Sequence, residues 1–174
     1  MRLQDEIIRR QNQPDLLKCQ YVSRHFYNAA EKSGRVAFIL ALISGIINLL
    51  PNTASGTWNS ISWAAPIIID LFIFIFYSIM SEQIRKASMI RNYFDAIVLE
   101  FDELIEQNSV NDIRRIVTEV SRKRPEECKT QISNTGKDVP PGVKDWYTFS
   151  KNYADEDAVF ECQKQNQWWN GITN

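Results

Sequence analysis

The chain has 174 residues, and its 20 Lys and Arg residues stand against 21 Asp and Glu residues, giving a formal net charge of -1. This length suits one domain with a real core, and the near-neutral charge gives no reason to expect a nucleic acid duplex as a partner. One His, three widely separated Cys and six scattered Gly exclude a Cys-x-x-Cys metal or redox motif and a glycine-rich phosphate loop. We therefore expect no catalytic residue, no metal site and no cofactor.

The N-terminal segment is basic, with seven cations and four carboxylates in the first 35 residues. Pro14 and Asp15 open a predicted helix that meets no further Pro or Gly before Gly34, so it runs almost directly into the apolar segment that follows. We predict that residues 1–35 are a cytoplasmic N-terminal helix. His25 lies in this helix without a second His or a cluster of Cys or acidic residues, which favours a structural role.

The most informative feature is the absence of charge between Arg35 and Asp70. Two apolar runs, 36–50 and 61–80, flank a polar stretch. The second run is long enough to cross about 30 Å of hydrocarbon, whereas the first reaches spanning length only by borrowing neighbouring residues. A buried hairpin of a soluble protein is the alternative. It is disfavoured because nine of the ten residues in 67–76 are Ile, Leu or Phe, without amphipathic alternation.

We predict a transmembrane hairpin over residues 36–81, with spans at about 34–53 and 61–81 and a short outer loop over 54–60. The loop carries no charge, whereas cations flank both inner ends of the spans, so the positive-inside rule places both termini in the cytoplasm. These cations are Lys18, Arg24, Lys32 and Arg35 before the first span, and Arg85, Lys86 and Arg91 after the second. The expected partner of this hairpin is the lipid bilayer.

Asp70 lies at the middle of the second predicted span, and Tyr77 follows it on the same helix face. A charged carboxyl group at bilayer depth is costly when it faces lipid, so Asp70 is expected to face a partner, water or a pore. Two interpretations stay open. Asp70 either lines a pore or carries protons, or it is a hydrogen-bonded packing residue between helices.

Span one offers a matching face. Ala37, Ala41 and Gly45 recur every fourth residue, and small residues at this spacing allow helices to pack closely, against span two or between protomers. Ser44 and Asn48 lie beside them and can form hydrogen bonds across helices. We expect both polar residues to lie opposite the polar face of span two, where they serve packing or line a wet path.

Residues 82–174 are predicted to form a cytoplasmic helical region. No Pro or Gly occurs between Ile67 and Arg124, so span two is expected to continue as a helix to about 107–109. Its apolar residues recur with helical period and predict a packing face for the N-terminal helix, or a docking face for another protein. These residues are Ile90, Phe94, Ile97, Val98, Phe101, Leu104 and Ile105.

Two further helices are predicted in this region, at about 111–124 and 154–170, separated by a loop over 125–144 that contains several Pro and Gly. Arg122, Lys123 and Arg124 end the first of them. This cluster is either a simple charge cluster at a helix C-terminus or a contact for anionic lipid or a phosphate ligand. The predicted fold is therefore all-α: an integral membrane helical hairpin with long cytoplasmic helical extensions and a small helical cytoplasmic domain.

Three segments in order resemble the four-transmembrane effector family associated with second-messenger oligonucleotide or dinucleotide synthetases (SMODS). They are Arg10–Pro14 (RQNQP), Val143–Tyr147 (VKDWY) and Cys162–Trp169 (CQKQNQWW). The resemblance implies structural roles for several residues of these segments, with the aromatic ones packing the cytoplasmic part onto the helix extension or the membrane surface. The residues are Arg10, Gln11, Asn12, Pro14, Asp145, Trp146, Tyr147, Cys162, Gln163, Asn166, Trp168 and Trp169.

The resemblance implies a pore-forming or membrane-disrupting effector of bacterial antiphage defence, triggered by a cyclic oligonucleotide signal. It also implies a location in the bacterial inner membrane, and a cyclic oligonucleotide or a nucleotide-sensing protein as partner. We expect a homo-oligomer, in which hairpins of this kind assemble to permeabilise the membrane. Family members resemble four-span proteins, so we expect this chain to be the front part of such a protein, without a second hairpin. A membrane-anchored scaffold or signalling adaptor, whose hairpin only tethers it, is the alternative function.

Overall fold

The computed structural model describes residues 2–49, 57–101 and 107–172, and it is all-α over these residues, as predicted. Side chains are described for all of them except residues 57–63, 107–108 and 167–172. The helices are α1 (Leu3–Gln11), α2 (Pro14–Leu49), α3 (Thr57–Val98), α4 (Gln107–Lys123), α5 (Pro125–Ser133) and α6 (Asp155–Ile172).

The chain divides into two compact units. Residues 24–87 form what we call the hairpin unit, and the residues before and after this range form the helical unit. Helices α2 and α3 contribute residues to both units, because each is long and continuous across the boundary.

In the hairpin unit, α2 and α3 pack side by side in antiparallel orientation, which confirms the predicted hairpin. Ser44 contacts Asp70, and a methyl group added at Gly34 would lie 2.9 Å from the sulfur of Met80. Residues later in α2 thus contact residues earlier in α3, as in any antiparallel pair of helices. The residues of α2 that face α3 recur with helical period, as expected for a helix that packs along one face. Its most buried residues are Phe26, Ala30 and Ser44.

Most apolar side chains of the hairpin unit face outward. Phe38, Ile46, Ile67 and Phe74 are each more than 60% exposed. In the most apolar 18-residue windows of the two helices, only 11% and 6% of residues are buried. The core helices of soluble proteins are mostly buried, whereas these two helices expose apolar side chains that suit a lipid environment. In lipid, the hydrogen bonds within a helix satisfy its backbone N–H and carbonyl groups. Both helices are long and apolar enough to cross a membrane.

The helical unit packs α1 against α6 and α4 against α5. Its core contains fully buried apolar residues from the N-terminal segment, α3, the 134–154 connection and α6. They include Ile7, Val22, Ile90, Phe94, Val98, Val143, Ala158 and Cys162. The charges of α1 follow the helix dipole, with Asp5 and Glu6 in the first turn and Arg9 and Arg10 in the last.

The structure corrects two helix predictions in the N-terminal half. Residues 1–35 are not one helix, because α1 ends at Gln11 and α2 begins at Pro14, which takes the first helical position where a missing N–H costs nothing. The predicted extension of α3 to residues 107–109 is also wrong. Helix α3 ends at Val98, and Glu100 adopts the left-handed conformation (φ 62°).

The end of α3 closes with the N–H of Phe101 donating to the carbonyl oxygen of Ala96 at 2.8 Å. This is the long hydrogen bond of a Schellman motif. Of the predicted apolar face, Ile90, Phe94 and Val98 are buried, whereas Phe101 is 36% exposed. Leu104 and Ile105 lie outside the described residues.

The loop predicted over 125–144 is wrong in its first half, where Pro125–Ser133 form α5. Pro at the first helical position and two acidic residues in the first turn favour a helix start, and this signal outweighs the reading of Pro as a loop residue. The second half is a hydrogen-bonded loop. The N–H of Gly142 donates to the carbonyl oxygen of Thr135 at 2.8 Å, and a Cβ at Gly142 would lie 2.0 Å from the carbonyl oxygen of Asn134.

Candidate functional site

The first group of polar residues lies in the hairpin unit. The hydroxyl group of Ser44 donates to Oδ1 of Asp70 at 3.0 Å. Ser44 is buried (5% exposed), whereas Asp70 is exposed on the hairpin surface. The structure therefore brings these two predicted residues together across the helices.

The other predicted polar residues of the spans do not join this pair. The amide of Asn48 donates to the carbonyl oxygen of Ser44 in its own helix at 3.0 Å, and Asn48 is exposed. Tyr77 is 58% exposed on α3. The predicted wet path from Asn48 and Ser44 to Asp70 is thus reduced, within this hairpin, to the contact between Ser44 and Asp70.

The small residues of α2 are only partly placed as predicted. Ala37 is half-buried, but Ala41 is exposed, and a Cβ added at Gly45 meets no atom within 4 Å. Ala41 and Gly45 therefore do not pack against α3, because the inward face of α2 passes through Gly34 and Ser44 instead. Packing of this small-residue face against another protomer stays a prediction.

The second group lies in the helical unit and surrounds Arg91 of α3. The guanidinium group donates to Oδ2 of Asp95 at 3.2 Å, to Oε1 of Gln20 at 2.9 Å and to Oδ1 of Asn166. It also stacks on the indole of Trp146, 4.6 Å from the ring centroid. One side chain on α3 thus binds α2, the 134–154 connection and α6.

Asp95 is the acceptor at the centre of this cluster. Its carboxylate accepts from the hydroxyl group of Tyr147 at 2.6 Å and from the amide of Asn166 at 3.1 Å, in addition to Arg91. Tyr147 is 1% exposed. Burial, reinforced by the negative charge of Asp95, raises the pKa of the Tyr147 phenol, so this hydroxyl group stays protonated and remains a donor.

Side-chain amides hold the segment that follows Trp146. Gln11 donates to the carbonyl oxygen of Tyr147 at 3.0 Å and accepts from its N–H at 2.7 Å. Gln165 forms the same reciprocal pair with Thr148, at 2.7 and 3.1 Å. Each glutamine thus pairs with one backbone N–H and one backbone carbonyl group, which have no strand partner in the described residues. Buried backbone groups need such partners, and those of Tyr147 are buried.

A third glutamine and an asparagine extend these contacts. Oε1 of Gln4 accepts from the N–H of Tyr153 at 2.9 Å. Asn12 donates to Oδ1 of Asp145 at 2.7 Å and accepts from the N–H of Asp145 at 3.1 Å. Asp145 has a positive φ of 53°, a conformation that Asp adopts more readily than most residues, and Asn12 holds it there.

Arg10 closes the end of α3. Its guanidinium group donates to Oε1 of Glu100 at 2.5 Å and to the carbonyl oxygen of Ile97 at 3.4 Å. A carbonyl group in the last turn of a helix lacks an intrahelical donor, so Arg10 satisfies one of them and offsets the cost of the left-handed Glu100.

The remaining predicted residues have simpler surroundings. Pro14 begins α2, Cys162 is fully buried, and Gln163 is exposed. Burial, together with Asp95, raises the pKa of the Cys162 thiol to about 12. The side chains of Trp168 and Trp169 lie outside the described residues. Among the described side chains, no three His, Cys, Asp or Glu residues are placed to hold a metal ion.

Sequence reasoning missed Arg91 and Asp95 as the centre of the cluster, together with Gln20, Gln4 and Gln165. One signal could have found the first two. They form an Arg–Asp pair at i and i+4 that lies beside Ile90 and Phe94 of the predicted apolar face, where a charged pair is expensive unless it has partners. The glutamine contacts had no such signal, because each joins residues far apart in sequence.

The three segments that carried the family resemblance thus meet in one place: Gln11 and Asn12 from the first, Asp145 to Tyr147 from the second and Asn166 from the third. A family model described as the SMODS-associating 4TM effector domain matches residues 5–171. Comparison with curated proteins and with solved structures gives no match.

Proposed function

Because the chain belongs to the family of SMODS-associating 4TM effectors, and is thus a membrane effector of antiphage signalling, we propose that its hairpins assemble to permeabilise the bacterial inner membrane. In this proposal the assembly is a homo-oligomer, and a cyclic oligonucleotide, bound by this chain or by a partner protein, triggers it. In the same proposal, the helical unit regulates the assembly.

The observation that carries the proposal is the exposure of Asp70. Its carboxylate lies at the middle of span two and, among the described residues, accepts one hydrogen bond, from Ser44. A charged carboxylate that faces lipid costs several kcal/mol, so a membrane protein keeps such a residue where it meets water or a polar partner. An assembly in which Asp70 lines a water-filled path supplies that environment.

The exposed face of α2 supports assembly. Ala41 and Gly45 are small and exposed, so the backbone of a neighbouring helix can approach closely there. The small-residue face and Asp70 belong to different helices of the hairpin. One hairpin can therefore pack against a neighbour through α2 while α3 turns Asp70 toward a shared path.

The proposed topology places both ends of the hairpin in the cytoplasm, supported by the cations that flank the spans and the uncharged loop between them. It is tested with Val139→Cys, a position that is 96% exposed in the helical unit, while the three native Cys residues are buried. A membrane-impermeant maleimide is expected to label this variant only after inner-membrane vesicles are inverted. Labelling in intact spheroplasts would place the helical unit outside.

Pore formation is tested by reconstituting the full chain in liposomes and measuring the reversal potential under a KCl gradient. A carboxylate-lined path prefers cations, so we expect a cation-selective conductance that Asp70→Asn makes unselective. Ser44→Ala is expected to weaken the selectivity in part, because it removes the donor to Asp70. The matched control is Ser78→Ala. Ser78 is an exposed serine of α3, the helix that carries Asp70, and among the described residues its hydroxyl group donates only to the carbonyl oxygen of Phe74 in the same helix.

Two results would contradict the proposal in different ways. Unchanged selectivity in Asp70→Asn would remove Asp70 from the conducting path. A full chain that inserts in liposomes but conducts neither alone nor with added cyclic oligonucleotides would favour the membrane-anchored adaptor, in which the hairpin only tethers the helical unit.

A further inference from the structure

The exposed side of α4 carries a concentration of arginine that the proposed function does not use. Ile113 and Val117 are buried (2% and 7% exposed), which fixes the rotation of the helix. The opposite side then presents its cations to solvent around an open cavity of about 490 Å³. The residues that line this cavity are Arg114, Arg115, Thr118, Glu119 and Arg122.

Two of these cations form no hydrogen bond or ion pair with the described residues, although the positive charge of Arg122 helps to lower the pKa of Glu119. Arg115 pairs with Asp112 at 3.3 Å, and Lys123 pairs with Glu119 at 2.6 Å. No described hydrogen bond or ion pair engages Arg114 or Arg122. The carboxylate of Glu119 lies at the cavity as well, but it is occupied by Lys123, whose hydrogen bond lowers the pKa of Glu119.

The spacing of Arg114 and Arg122 determines which ligands they can bind together. Arg114 and Arg122 are eight residues apart, or about 12 Å along the helix axis, and Thr118 lies midway on the same side. Guanidinium groups bind phosphate through two parallel hydrogen bonds, and a hydroxyl group between them adds a further donor. Such a face suits more than one phosphate group at a time.

We propose that Arg114, Arg115, Thr118 and Arg122 form a binding site for phosphate groups, supplied either by anionic lipid headgroups or by a soluble phosphate compound. The site goes beyond the proposed function, because it does not depend on whether the hairpin conducts. Arg115 serves the site by exchanging its weak, exposed pairing with Asp112 for the ligand.

The test uses the full chain in nanodiscs, with an environment-sensitive dye attached at Asn111→Cys. Asn111 is exposed one turn before Arg115, and the three native Cys residues are buried and compete little for the dye. The soluble source is tested by titrating inorganic pyrophosphate into phosphatidylcholine nanodiscs. The lipid source is tested with nanodiscs that contain phosphatidylglycerol and a quencher on the lipid headgroup.

If lipid is the source, phosphatidylglycerol increases quenching of the dye and pyrophosphate does not change its emission in phosphatidylcholine. If a soluble phosphate is the source, pyrophosphate shifts the emission and phosphatidylglycerol does not quench it. In either case, the double variant Arg114→Gln, Arg122→Gln is expected to weaken binding about thirtyfold. Each arginine near a phosphate surface contributes about 1 kcal/mol, and the loss of about 2 kcal/mol for two arginines corresponds to this factor.

The control is the double variant Lys129→Gln, Lys137→Gln, which removes the same charge from exposed positions outside the α4 face. It is expected to respond like the wild type. Equal responses of the two double variants would show that net charge alone is sensed, and the absence of any response in the wild type to both probes would also overturn the proposal. Circular dichroism verifies that each variant remains folded.

Discussion

Gln11 and Gln165 form the same pair of hydrogen bonds with adjacent residues of the backbone, but at different depths. Gln11 is 2% exposed and its bonds to Tyr147 are buried, whereas the bonds of Gln165 to Thr148 are exposed. Replacing each glutamine with Ala therefore removes equal chemistry from two environments. The comparison isolates the effect of burial on the free energy of the 143–153 segment.

The expected magnitudes follow from what happens to the orphaned backbone groups. Gln11→Ala leaves a buried N–H and a buried carbonyl group of Tyr147 without partners, at about 1–3 kcal/mol each, so the local opening free energy should fall by about 2–6 kcal/mol. Water replaces Gln165 when it is truncated, and the loss there should stay below about 1 kcal/mol. Gln11→Met keeps most of the side-chain volume and should still lose most of the larger amount.

Amide hydrogen exchange of the full chain in nanodiscs measures these local opening free energies for a peptide that contains Tyr147 and Thr148. Similar losses for Gln11→Ala and Gln165→Ala would refute the argument from burial. Near-normal protection in Gln11→Met would show that Gln11 acts through packing rather than through its two hydrogen bonds.

Three further outcomes test the helical unit. Gly142→Ala should lower the thermal unfolding temperature strongly, at a cost of about 3 kcal/mol, because its Cβ would lie 2.0 Å from a backbone oxygen. The control Gly136→Ala, whose Cβ would meet no atom within 4 Å, should change stability by less than about 0.5 kcal/mol. Equal effects would contradict this loop geometry. Arg91→Lys keeps the charge but loses the planar guanidinium group, so circular dichroism melts should show a loss of stability of about 1–3 kcal/mol. The control Arg9→Lys, at a side chain that is 60% exposed, should cause no measurable change. Unchanged stability in Arg91→Lys would mean that the charge alone suffices. Iodoacetamide should alkylate Cys162 about a thousandfold more slowly than an ordinary thiol near neutral pH, because its pKa of about 12 leaves far less thiolate. The alkylation rate should rise as the pH approaches that pKa. Rapid labelling at about pH 7.5 would contradict the burial of Cys162.

The parts of the fold that depend on local composition could be predicted from the sequence. The charge-free stretch between Arg35 and Asp70 predicted the hairpin, because lipid imposes a requirement that each span meets by its own composition. The helix start at Pro14 and the acidic start of α6 at Asp155 were likewise local signals. Helix ends were harder: α3 ends at Val98 without a Gly or Pro, through a left-handed Glu100 that Arg10 supports from a distant part of the chain.

The site residues divide along the same line. Ser44 and Asp70 were predicted to face each other because polar residues in an apolar span need a partner, and the contact between the helices meets part of that need. The cluster around Arg91 depends on contacts across 52 to 75 residues of sequence, which no local pattern contains. The family resemblance indicated two of the participating segments, but neither Arg91 nor Asp95 belonged to them.

Two aspartates on α3 show how differently the two units treat a carboxylate. Asp95 accepts hydrogen bonds from Arg91, Tyr147 and Asn166, so the fold of one chain satisfies most of its capacity of about four. Asp70 accepts, among the described residues, only from Ser44, although the lipid around a span offers no donor to replace the missing ones. A carboxylate left in this condition does not stabilise a single hairpin. The proposed assembly would bring water or a second copy to Asp70 as further hydrogen-bond donors, and this is why we propose that assembly in the membrane completes its surroundings.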